Sequence, residues 1–311
     1  MNYKDEILKL KKEKNALILA HYYQIGDIQD IADYVGDSLG LSQKAAQANV
    51  DIILFAGVHF MAETAKILNP KTKVLLPDLE AGCSLADSCP YDDFVAFREK
   101  YQDHIVISYI NTSAAIKTVS DVICTSGNAV KLVNYFPKDQ KIIFAPDRNL
   151  GGYVNQMTGR NMVLWEGTCE VHDILTTESI LNLKEAHPKA KIVAHPECQP
   201  QILQIADYVG STTGLLKYTG TDDSKEYIVA TETGILHQMQ LDSPDKKFYV
   251  VPSDKTCACN DCPYMKLNTM EKVYLALKNE TPSISLDAET IEKARKPIER
   301  MLEISKELKI I

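Results

Sequence analysis

Short apolar runs recur along the chain, and several close in the same way. Leu17-Ile18-Leu19-Ala20-His21 and Lys191-Ile192-Val193-Ala194-His195 each end in Ala-His, which predicts a strand with a polar carboxyl end. Downstream of them, Ala32-Asp33-Tyr34-Val35-Gly36-Asp37-Ser38 returns as Ala206-Asp207-Tyr208-Val209-Gly210-Ser211-Thr212. A more diverged copy, Ile105-Val106-Ile107-Ser108-Tyr109 followed by Asp121-Val122-Ile123-Cys124-Thr125-Ser126, lies between them. The register is common to all three, because His21 to Ser38, Tyr109 to Ser126 and His195 to Thr212 are equal intervals.

Each copy carries two further apolar runs: Ile52 to Ala56, Lys141 to Ala145 and Tyr227 to Ala230, then Lys73 to Leu76, Asn161 to Trp165 and Lys247 to Val251. Helical patterns separate many of them, and short apolar strands alternating with amphipathic helices predict small parallel sheets covered on both faces. The expected fold class is α/β, with three homologous αβα domains around a pseudo-threefold axis at 1–84, 85–171 and 172–264. Each spans roughly 85 residues, well above solenoid periods, so a closed triangle is favoured over a linear stack. Helices in 265–311 are expected to return to the first domain.

Ligands of open parallel sheets bind beyond the carboxyl ends of the strands. There the chain places His21 with Tyr23, Tyr109 with Asn111, and His195 with Glu197, which are proton-transfer and hydrogen-bonding types. Ser38, Ser126 and Thr212 each open a helical stretch and are read as N-caps beside free backbone N–H groups, a setting suited to carboxylates or phosphate. A lone residue of either kind is more often a satisfied strand end or a plain helix cap; the common register is what singles them out.

The chain has 8 cysteines. No apolar run suits a signal peptide or a membrane span, so the expected compartment is the cytoplasm, where cysteines are seldom disulfides. A net charge of −8 disfavours a nucleic-acid-binding face. After the last apolar run of each copy comes Cys83, Cys169, or the group Cys257, Cys259 and Cys262. Three thiolates from three domains suit a 4Fe-4S cluster with one open iron able to act as a Lewis acid; a local zinc site at the last group is the competing reading. Cys89, Cys124 and Cys198 lack symmetric partners and are taken as buried core residues. His59, His104, His172, His187 and His237 lack repeat support and are taken as structural or solvated.

These residues resemble the quinolinate synthases of de novo NAD biosynthesis over essentially the whole chain. The motifs, in order, are Ala20-His21-Tyr22-Tyr23-Gln24, Val35-Gly36-Asp37-Ser38, Tyr109-Ile110-Asn111-Thr112, Cys124-Thr125-Ser126-Gly127-Asn128-Ala129, Pro146-Asp147-Arg148-Asn149-Leu150-Gly151, His195-Pro196-Glu197-Cys198 and Thr231-Glu232-Thr233-Gly234. The resemblance implies an enzyme that condenses iminoaspartate with dihydroxyacetone phosphate, losing phosphate and two waters to form quinolinate. It implies Cys83, Cys169 and Cys262 as ligands of the 4Fe-4S cluster, the last because Cys262-Pro263-Tyr264-Met265 resembles the family's stretch. His21, Ser38, Tyr109, Asn111, Ser126, His195, Glu197 and Thr212 are implied as substrate contacts. Tyr23, Glu197, His195 and Tyr109 are the expected catalytic set, with Glu197 as general base. An L-aspartate oxidase or aspartate dehydrogenase is the implied supplier of iminoaspartate. The alternatives are another iron-sulfur dehydratase acting on a small di-acid and an iron-sulfur electron carrier.

Overall fold

The computed structural model describes residues 2–253 and 260–310. Cys257 and Cys259, and with them the local zinc reading, lie outside the described residues.

Three four-stranded parallel sheets follow one another along the chain. The first is built from β1 (Ala16–His21), β2 (Tyr34–Gly36), β3 (Ile52–Ala56) and β4 (Lys73–Leu75). The second has β5 (Ile105–Tyr109), β6 (Val122–Cys124), β7 (Ile142–Ala145) and β8 (Val163–Leu164). The third has β9 (Lys191–Ala194), β10 (Tyr208–Val209), β11 (Glu226–Ala230) and β12 (Lys247–Val250). Their orders are β2-β1-β3-β4, β6-β5-β7-β8 and β10-β9-β11-β12, which is one topology used three times. Helices covering both faces explain why a strand such as β3 is apolar and buried throughout.

The recurring aspartate of the repeat has a structural task. Asp33, Asp121 and Asp207 each accept the backbone N–H of the residue fifteen positions earlier, Ile18, Val106 and Ile192, at 2.7–2.8 Å. Their own N–H groups donate to the carbonyls of the same three residues at 2.8–2.9 Å. This double clamp sets the register of the second strand on the first. A one-residue slip would turn every side chain of that strand to the wrong face.

Helix 270–279 packs on helix 3–13 and β3 of the first sheet. The long helix Ala288–Glu307 buries Ala294, Ile298, Met301 and Ile304, the stripe expected of an amphipathic helix. It lies against helix 114–118, β6 and helix 129–135 of the second sheet as well as helix 59–68 of the first. These side chains join Leu19 and Ile53 to Ile123 and Phe144 in one core. Asn128 Nδ2 donates to Ser305 Oγ at 3.0 Å inside that seam.

No helix among the described residues is long and apolar enough to cross a membrane. Cys89, Cys124 and Cys198 are buried in the core, as expected of small apolar residues.

Candidate functional site

The carboxyl ends of all three sheets contribute to one cavity, whose empty space is about 630 Å³ counting its open mouth. His21 and Tyr23 come from the end of β1, Tyr109 and Asn111 from β5, and His195 and Glu197 from β9. Ser38, Ser126 and Thr212 line it from the turns after β2, β6 and β10. Cys83, Cys169 and Cys262, each following the last strand of its sheet, complete it.

The hydroxyl residues are not the caps that the sequence suggests. Asp37 and Ser211 cap their helices by accepting from Gly40 N at 3.0 Å and Gly214 N at 3.2 Å, so Ser38 and Thr212 are first-turn residues. Ser126 sits in the turn ahead of helix 129–135, at whose start Asn128 Oδ1 accepts from Thr125 N at 2.7 Å. Both members of each adjacent pair are good capping types, so sequence alone does not separate them. With capping done by the neighbour, Ser38 and Thr212 have hydroxyls not committed to closing their helices.

His21 and His195 show the repeat at atomic level. Tyr23 N donates to His21 Nδ1 at 3.1 Å, and Glu197 N donates to His195 Nδ1 at 3.4 Å. A ring whose Nδ1 accepts carries its proton on Nε2. Burial pushes both imidazoles down to about 3, with each other's charge adding to the effect at His21 and His172 adding to it at His195; nearby Glu197 opposes it. Both rings are therefore neutral N–H donors at neutral pH.

His172, set aside in the sequence for want of a repeat partner, belongs to the site. It is 2% exposed and lines the cavity, with its ring stacked 4.8 Å from that of His195. Tyr23 Oη and Thr231 Oγ1 share a hydrogen bond of 2.7 Å, and Thr231 Oγ1 and His172 Nε2 share one of 2.9 Å. His172 Nδ1 stands 3.1 Å from Glu197 Oε2, off the line of a well-directed hydrogen bond. Tyr109 Oη donates to Glu197 Oε1 at 2.5 Å. Burial opposes the charge on Glu197, but His172 and His195 beside it and the hydrogen bond from Tyr109 outweigh that and hold its carboxyl down to about 2. Burial, with Glu197 nearby, raises both tyrosines well above the ordinary phenol range.

Backbone contacts fix this network. Gly234 lies so close to the Tyr22-Tyr23 backbone that a Cβ on it would come within 2.7 Å of Tyr23 Cα. Gln29 Nε2 ties the carbonyls of Tyr22, Gln24 and Gly234 together at 2.8–2.9 Å. Asn149 Nδ2 donates to the Glu197 carbonyl at 3.1 Å. Glu232, fully buried, accepts from Cys262 N at 3.1 Å and pairs with Lys266 Nζ at 2.7 Å, while Lys266 also donates to the Tyr23 carbonyl at 2.8 Å.

The three cavity cysteines are free thiols. Burial pushes Cys83 up to about 12 and Cys262 up to about 11, and raises Cys169 well above the usual thiol range. Cys262 raises Cys83 further, and Cys169 feels both, so three thiolates can stand together here only beside a compensating cation. One ligand atom from each of Cys169, His172 and Glu197 also falls within 4.8 Å of the others, a possible metal-holding group.

Comparison with known sequences identifies the family. The sequence model of the family described as "Quinolinate synthetase A protein" matches residues 5–303. A quinolinate synthase of Microcystis aeruginosa is 62% identical over 299 residues, covering 96% of this chain and 94% of the relative. Quinolinate synthases of Synechocystis sp. (61% over 299 residues, 96% and 94% covered) and Trichodesmium erythraeum (60% over 301 residues, 97% and 93%) are similar to it at comparable levels.

Proposed function

The chain belongs to the quinolinate synthase family, and on that footing we propose that this enzyme condenses iminoaspartate with dihydroxyacetone phosphate to quinolinate, with loss of phosphate and two waters. The observation that carries the proposal is the meeting of three thiols and two neutral imidazole donors in one cavity, with Tyr23, His172 and Glu197 of its wall linked through Thr231 behind it. We place the reaction in the cytoplasm, in de novo NAD biosynthesis, with an L-aspartate oxidase or aspartate dehydrogenase supplying the imine. The threefold placement of domains 1–84, 85–171 and 172–264 around the cavity is part of the same reading, supported by the shared sheet topology.

Cys83, Cys169 and Cys262 would hold a 4Fe-4S cluster, and the donor set fits: free thiols from three chain segments, lining one cavity, whose joint ionisation calls for a cation. When bound, the cluster would supply a Lewis acid at its open iron that polarises a substrate oxygen.

The chain's own groups bind and move protons. His21 and His195 present Nε2–H to substrate carboxylates, and the hydroxyls of Ser38, Ser126 and Thr212 add donors for carboxylate or phosphate. Asn111 Oδ1, buried without a partner, accepts from a substrate N–H or O–H. Tyr23 Oη gives or takes a proton through Thr231 Oγ1 to His172 Nε2. Held near 2, Glu197 is a weak base on its own. It therefore acts as the carboxylate that stabilises a proton passed to His172, with Tyr109 holding it in place.

Anaerobic purification with iron and sulfide quantified, followed by product analysis with the two substrates, tests the reading. Quinolinate is the expected product. A cluster-loaded protein that makes none, or that dehydrates a different di-acid instead, overturns it.

A further inference from the structure

One polar atom of His172 makes no hydrogen bond although it is buried. Nε2 is engaged by Thr231, but Nδ1 is buried without a hydrogen bond, on a ring 2% exposed. It faces Glu197 Oε2 at 3.1 Å, and one ring nitrogen of His172, one carboxylate oxygen of Glu197 and Cys169 Sγ all lie within 4.8 Å of one another. Zinc binds such donors at about 2.0–2.3 Å in a tetrahedron, which sets neighbouring ligands roughly 3.3–3.8 Å apart. The His-Glu separation is thus near that spacing already, and a shift of about 1 Å at Cys169 satisfies the rest. A ligating histidine normally has its other ring nitrogen held by a hydrogen bond, and Thr231 Oγ1 at 2.9 Å provides one for Nε2.

We propose that the cluster-free protein binds one zinc-class divalent cation through Cys169 Sγ, His172 Nδ1 and the Glu197 carboxylate, and that this ion and the iron-sulfur cluster exclude each other because both require Cys169. Cys169 releases its thiol proton to solvent on ligation, so thiolate and carboxylate balance the dication. The exclusion clause rests on the proposed cluster; the cation site rests on the geometry alone. An ion there takes up the orphaned Nδ1 and the anionic end of the proton chain together, so it silences the enzyme as well as blocking assembly.

The test uses the full chain prepared anaerobically without iron and titrated with zinc sulfate against a chromophoric chelator. One equivalent binds. His172→Ala and Glu197→Gln each weaken binding by at least about 100-fold, beyond the loss typical of an outer hydrogen-bonding partner, whereas Thr231→Val weakens it about 10-fold. X-ray absorption of the unsubstituted zinc complex gives one sulfur with nitrogen and oxygen ligands, a readout independent of whether the variants fold. A sulfur-rich zinc shell, or binding that survives His172→Ala but is lost in a Cys257→Ser/Cys259→Ser variant, overturns the site. Zinc-loaded protein takes up no iron and sulfide until zinc is chelated; a full cluster formed with zinc retained overturns the exclusion. If zinc-free protein also refuses iron and sulfide, the cluster reading fails while the zinc results stand.

Discussion

Tyr23 and Thr231 share a 2.7 Å hydrogen bond although one follows the first strand of the first sheet and the other the third strand of the third. The contact lies beside the close approach of Gly234 to the Tyr23 backbone, so the proposed proton path is set by how two sheets meet. His172 and Glu197 extend that path to a buried carboxylate.

Breaking the path in the middle leaves both ends in place. Thr231→Val and His172→Asn are expected to lower kcat by about 10²- to 10⁴-fold, the usual range for general acid-base groups, with iron content unchanged for Thr231→Val. Steady-state rates beside iron quantification check this. Near-normal turnover in Thr231→Val removes the hydroxyl from the route.

Glu197→Gln keeps the hydrogen bond from Tyr109 but loses the negative charge beside His172. Cluster loading is expected to survive and turnover to fall by at least about 10²-fold. Single-turnover product analysis measures it, and activity within a few-fold of the parent rules out a role for the charge.

Cys83→Ala, Cys169→Ala and Cys262→Ala are each expected to prevent loading of a full cluster. Cys89→Ala, whose side chain is buried against Phe94, is expected to keep it, at a stability cost of about 1 kcal/mol. Iron and sulfide per chain decide. A full cluster in Cys262→Ala would reassign the third ligand.

His21 and His195 have pKa values near 3, below the ordinary histidine value of 6.5. Between those limits the unfolded chain binds protons that the folded chain refuses, so stability present above pH 6.5 is lost as pH falls toward 3. Each ring contributes up to about 1.4 kcal/mol per pH unit in that window. Urea unfolding of the cluster-free chain at pH 6.5 and pH 5 is expected to give a steep loss, reduced in His21→Gln. A flat profile would mean that the rings are already charged in the fold.

Lys117 is fully buried beneath the loop that carries Asn111. Its ammonium donates to Ile110 O at 3.0 Å, to Thr112 O and to Thr112 Oγ1 at 3.4 Å, and lies 5.5 Å above the Phe60 ring. Lys117→Met is expected to strand those acceptors, costing about 2–4 kcal/mol, and to raise KM more than it lowers kcat. Denaturant unfolding and steady-state kinetics measure the two effects.

Much of this was legible in the sequence because a repeat constrains many positions at once. The strand ends, the equal intervals to Ser38, Ser126 and Thr212, and the aspartates at 33, 121 and 207 all lie in the register. His172 has no counterpart in the other copies, so symmetry hid it; the spacing Cys169-Glu170-Val171-His172, a metal-type pair at the start of a short helix, was the one available signal. Thr231 and Glu232 sat in a recognised motif without a role, because their partners Tyr23, His172 and Lys266 are brought near only by tertiary packing. The caps were displaced by one residue since Asp37 and Ser211 compete with their neighbours for the same N–H groups.

Helix 288–307 comes later in the chain than every residue lining the cavity, yet it seals the first two sheets together. During translation, Cys83, Cys169 and Cys262 therefore leave the ribosome before the wall behind them can close. A nascent chain would expose the three thiols on an unfinished scaffold, so loading of the proposed cluster would follow synthesis of this helix.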